Sequence, residues 1–140
     1  MEIKNIIKEQ IDTFYKISHK ANIEVLLKLQ EKLSANLYYY ADVYREVMIE
    51  YAQKYWDYKS KYSKIYLENI AKKIEEKMTS KQAEEIAKEE SMAERASQMF
   101  LSAEIEAMKV EIRSIEKVLH TLSQRISNLK KEKEMNNFKT

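Results

Sequence analysis

Glycine, proline and cysteine are all missing from this 140-residue chain. Average usage would supply roughly ten glycines and seven prolines at this length. Without the residues that build tight turns, the chain is restricted to long helices joined by very short connections. No glycine also means no phosphate-cradling glycine loop. No cysteine means no disulfide framework, and so no secreted mini-protein scaffold. Long apolar runs are missing too, since Val25-Leu26-Leu27 is closed by Lys28. Neither a transmembrane helix nor a signal peptide is expected, and the expected location is intracellular, in the cytoplasm.

Charged residues make up 34% of the chain and hydrophobic ones 44%, within the globular range. The length points to one domain. A net charge of +2 conceals segregated blocks. Residues 79–111 hold four basic and eight acidic side chains, whereas 112–140 hold seven basic and three acidic. The stretch 54–73 sets six lysines against Asp57 and Glu68.

The clearest pattern is a heptad seam through Leu101, Ile105, Met108, Ile112, Ile115, Leu119, Leu122, Ile126 and Leu129, with unbroken 4-3 spacing. That spacing predicts a coiled-coil helix. A second seam runs through Leu37, Ala41, Tyr44, Met48, Tyr51, Tyr55, Tyr58, Tyr62 and Ile65. Between them, Thr79-Ser80-Lys81-Gln82 has the form of a capping box, which places a turn near 77–80. In the N-terminal part, Ile3, Ile7, Ile11, Phe14 and Ile17 mark an amphipathic helix. Ser18–Asn22 then reads as a break, and Leu26, Leu29 and Leu33 form a stripe out of register with the seam from Leu37. A bend is therefore expected near Ser34-Ala35-Asn36. The expected fold is all-α: a long antiparallel helical hairpin with coiled-coil seams and an additional N-terminal helical segment. It forms a single all-helical domain over 1–140, with N-terminal helices at 2–32, a Tyr/Lys-rich helix at 33–78 and a C-terminal heptad helix at 80–133.

Opposite the C-terminal seam lies a second stripe: Ala96, Phe100, Ala103, Ala107, Val110 and Ser114. A helix apolar on two sides is normally covered on both. Either the N-terminal helix covers this stripe, or a second subunit does. In the second case Phe100, Ala103, Ala107 and Val110 form the interface of a homo-oligomer.

Residues suited to covalent chemistry are sparse. Glu116 and His120 are four apart rather than the three of a di-iron helix motif, and His19 is remote in sequence. Glu84, Glu85, Glu89 and Glu90 serve a helix N-terminus as solvated dipole partners. No catalytic residue, metal site or cofactor is expected, and the chain does not read as an enzyme.

Nine of the ten tyrosines fall between residues 38 and 66, interleaved with lysines. Rings beside cations suit a single-stranded nucleic-acid groove, where bases stack and phosphates are tracked. The candidate contacts are Lys54, Trp56, Lys59, Lys61, Lys64, Lys72 and Lys73, with Arg125, Lys130 and Lys131 near the C-terminus as a second basic region. The competing reading puts the tyrosine rings in the hairpin core. It also pairs most of those lysines with the acidic block at 84–104 across the hairpin. Trp56 stands off the tyrosine seam and escapes that reading.

Leu37-Tyr38-Tyr39-Tyr40, the Tyr/Lys helix after it, the Thr79-Ser80-Lys81 turn and the run from Leu122 to Lys130 (LSQRISNLK) are similar to the bacteriophage UvsY-like recombination mediator family, over roughly residues 33–131. The resemblance implies a small ring-forming oligomer in a phage-infected cell that binds single-stranded DNA and helps load a recombinase. It also implies DNA contacts from the middle helix, where Lys61, Lys64, Lys72 and Lys73 fall. The alternative is a structural or adaptor coiled-coil protein, such as a viral assembly or inhibitor protein, with no nucleic-acid binding.

Overall fold

In a computed structural model, the chain is described at residues 2–17, 22–76 and 78–138, without the side chains of residues 73–76. The described residues form four helices and no strand: α1 (Ile3–Ile17), α2 (Ile23–Glu76), α3 (Ser80–Glu90) and α4 (Met92–Phe138). The fold is all-α, and its two long helices are the arms of a helical hairpin. Among these helices, none is long and apolar enough to cross a membrane.

Capping chemistry sets the starts of two helices. Asn22 Oδ1 accepts from the Val25 amide, so α2 begins on an asparagine N-cap. The capping box at Thr79 forms as expected: the Gln82 amide donates to Thr79 Oγ1, and the Thr79 amide donates to Gln82 Oε1. The break expected at Ser18–Asn22 falls largely outside the described residues, as does Lys77 of the turn.

Two expectations are corrected. Helical structure in α2 is continuous through Ser34, Ala35 and Asn36, so the Tyr/Lys-rich helix starts at Ile23 and not near residue 33. The out-of-register leucines are absorbed by a third helix, because Asn36 donates to Gln10 of α1. Conversely, the stretch from residue 80 is not one helix. It breaks at Ser91, whose backbone lies at φ −103°, ψ 9°, in the sparsely allowed bridge region. Ser91 is fully buried, and its hydroxyl donates to the Ala87 carbonyl. Such back-bonding to i−4 bends helices.

The chain divides into two compact units. Unit 1 comprises Met1–Tyr44 and Met108–Thr140, and unit 2 comprises Arg45–Ala107.

Unit 1 is a three-helix bundle. Its core is Ile7 and Phe14 of α1, Leu26, Leu29, Leu33 and Tyr40 of α2, and Met108, Ile115, Val118, Leu122 and Ile126 of α4. Gln30 donates to Ser123 at 2.7 Å and the Tyr40 hydroxyl donates to Glu111, so α2 and α4 run antiparallel. Lys4 of α1 pairs with the same Glu111 at 3.0 Å, which ties the third helix to the other two.

Unit 2 pairs the rest of α2 with α3 and the start of α4, again antiparallel. Gln98 donates to the Tyr51 hydroxyl at 3.3 Å, and Lys61 meets Glu94 at 2.5 Å. Its buried set is short: Ile65, Ala83, Ala87, Ser91, Leu101 and Ile105. Carried back from Leu101, the α4 seam reaches Gln98, Glu94 and Ser91, which are polar or small. The tyrosines facing them are therefore not a closed core. Tyr44, Tyr51, Tyr58 and Tyr62 are half-buried and Tyr55 is exposed.

Candidate nucleic-acid interface

Antiparallel pairing gives unit 2 two flanks, one on each side of the seam, and the candidate residues divide between them. Glu50 and Lys54 of α2 share a groove with Ala96, Ser97, Phe100 and Glu104 of α4, which defines the first flank. Helical spacing adds Asp57, Lys61 and Lys64 of α2 to that side. The second flank carries Ile49, Ala52, Trp56 and Lys59 of α2, spaced 3-4-3, with Met92, Arg95 and Met99 of α4, spaced 3-4. All seven are exposed.

The Trp56 flank is basic and aromatic. Trp56 is 71% exposed, too open for a core residue. Lys59 leans over two seam rings, its Nζ 5.6 Å from the Tyr55 centroid and 5.8 Å from that of Tyr58. A tyrosine ladder continues along the seam, with Tyr58–Tyr62 centroids at 6.2 Å and a parallel Tyr62–Tyr66 stack at 6.4 Å. An open indole, an exposed tyrosine ring and cations of two helices thus share one side. Bases stack on such rings, and cation–π contact holds Lys59 over its neighbours.

The lysine run does not form one patch. Lys54 and Lys64 stand on the opposite flank from Trp56 and Lys59, among Glu50, Asp57 and Glu104. Lys61 is bound to Glu94, the cross-hairpin pairing expected for most of the run and seen here for this lysine. The Lys61 hydrogen bond, helped by the backbone, holds the Glu94 carboxyl below the usual carboxylate range against the opposing effect of burial. Glu94 Oε2 is out of water with no partner among the described residues. Lys72 is exposed on α2, and the Lys73 side chain lies outside the described residues.

The second basic region is also split. Lys130 and Lys131 are exposed on the last turns of α4 in unit 1. Arg125 is half-buried there, with its Nε shielded and unpartnered among the described residues.

The expected subunit interface stays open. Phe100 is 72% exposed, and Ala103 and Ala107 are exposed beside it in unit 2. Val110 belongs to unit 1, where it borders a groove of about 340 Å³ with Ile7, Ile11 and Tyr40. Helix α1 flanks this end of the stripe, yet Val110 remains 61% exposed.

Sequence reasoning singled out Trp56 and Lys59 but missed Met92, Arg95 and Met99. Their 3-4 spacing beside the α4 seam was visible. Its meaning depended on which flank of α2 it would join, and that follows only from the antiparallel pairing. Among the described residues, no three His, Asp or Glu side chains gather as a metal site. No family model, curated protein or solved structure matches the chain.

Proposed function

We propose that this protein is a non-enzymatic, self-associating protein that holds single-stranded nucleic acid along the Trp56 flank of unit 2. The observation that carries the reading is the exposed Trp56 beside Lys59 and Arg95, on the side of the helix pair away from Glu50, Asp57 and Glu104. Aromatic platforms with flanking cations bind single strands with little sequence preference. A duplex keeps its bases stacked inside and offers the indole no face to meet. The resemblance to phage recombination mediators extends this reading to loading a recombinase on DNA within an infected cell.

A second reading, a structural or adaptor coiled coil, draws on the Lys61–Glu94 pair and the acidic residues among Lys54 and Lys64. Oligothymidine binding at about 50 and about 200 mM salt separates the two. A phosphate-tracking protein loses affinity steeply over that range, with a log–log slope of about −0.7 per phosphate contacted on a single strand. Trp56→Ala should weaken binding by about 1–3 kcal/mol, the worth of one stacked base, while helical circular dichroism is unchanged. Absence of binding at the lower salt concentration would sink the nucleic-acid reading in favour of the structural one.

A further inference from the structure

We infer that the Phe100 flank of unit 2 is a two-fold contact between two copies of this chain. The inference rests on the reading that the chain self-associates, and it adds the face and the symmetry.

Phe100 stands open to solvent above a groove of about 490 Å³ lined by Glu50, Lys54, Ser97 and Glu104. Its neighbours one turn away on α4, Ala96 and Ala103, are small and exposed, so a second helix can approach closely. An open aromatic ring flanked by alanines over a groove is a shape that a facing ring can fill.

Charge placement selects the occupant. Tyr51 is bonded to Gln98 and Lys61 to Glu94, so Lys54 lies between those levels, on the N-terminal side of Phe100 along α4. Glu104 lies one turn to the C-terminal side. A closed two-fold contact requires that residue i meet j while j meets i. Rotation about an axis through Phe100, perpendicular to the helices, brings Lys54 of each copy to Glu104 of the other and sets the two rings together. A parallel two-fold would instead oppose Lys54 to Lys54 and Glu104 to Glu104. The face is therefore self-complementary in the antiparallel sense. It leaves Trp56 on the far flank of each copy, open to nucleic acid.

Sedimentation equilibrium on the full chain tests this. Wild type should run at the mass of two chains, and Phe100→Glu at the mass of one with helical circular dichroism retained. Lys54→Glu and Glu104→Lys should each lower the mass, because each opposes like charges at the contact. The double reversal Lys54→Glu/Glu104→Lys should restore it. A wild-type mass of one chain overturns both the inference and the self-association it rests on. If wild type self-associates and the single reversals keep its mass, or the double reversal does not recover it, the two-fold contact is wrong. A fall in melting temperature at unchanged mass would place the charge pair inside one chain and likewise overturn it. Two-chain mass that responds to the reversals as expected, without oligothymidine binding, supports the contact and sinks the nucleic-acid reading alone.

Discussion

Unit 1 and unit 2 draw on the same two long helices, and they differ in what fills the seam between them. In unit 1, aliphatic positions of α2 and α4 meet those of α1, and Leu26, Leu33 and Leu122 are removed from water entirely. In unit 2 no third long helix is present, and the α4 seam turns polar at Gln98, Glu94 and Ser91. The facing tyrosines keep one edge wet, as amphipathic rings do when a polar neighbour holds the hydroxyl. One unit is a closed core, while the other is a pair of helices with chemistry along both flanks. The exposed Ile49, Trp56, Met99 and Phe100 all belong to the second. Where packing is weakest, surface is available for partners.

Truncating a buried leucine in each unit tests the contrast most severely. Leu122→Ala in unit 1 should cost about 2–5 kcal/mol in denaturant unfolding, the range for a leucine lost from a tight core. Leu101→Ala in unit 2 should cost less, because a thinner core relaxes more readily around the gap. A larger loss at Leu101 would reverse the comparison.

Filling the polar seam should erode it. Gln98→Leu restores an aliphatic heptad position at the expense of one hydrogen bond to Tyr51. We expect a gain of about 1 kcal/mol from the added apolar burial, read as a higher melting temperature. A lower one would mean that the Gln98–Tyr51 bond matters more to unit 2 than apolar area.

The smallest effect concerns pH. The depressed Glu94 carboxyl contributes stability that is fully present above its unfolded pKa, about 4.3 for glutamate. That stability is lost as pH falls through the lower folded value. Acid unfolding followed by circular dichroism should therefore show a component, below about pH 4.3, that disappears in Glu94→Gln. An identical acid profile in that variant would show the Lys61 pair to be fully screened.

Much of the fold was legible because helix periodicity and capping are local. The heptads of α4 and the Thr79 capping box needed only spacing and residue type. The bend expected at Ser34–Asn36 failed because a third helix accommodates the shifted leucine stripe, and no local pattern encodes the Asn36–Gln10 bond. Ser91 was passed over because a serine at a heptad position resembles a weak core residue until its burial and its bond to Ala87 are known. The candidate site was half legible. Trp56 stood out by lying off the seam, whereas the sorting of Lys54 and Lys59 to opposite flanks depends on the register between two helices.

That lone indole has an optical consequence. Trp56 is the chain's single tryptophan, and nine of the ten tyrosines lie between residues 38 and 66 on the same helix. Light absorbed by those phenols can pass to the indole, whose emission reports the polarity of one exposed flank and nothing else. The protein thus carries an intrinsic fluorophore at the surface assigned to nucleic acid, so occupancy of that flank can be followed without attaching a dye.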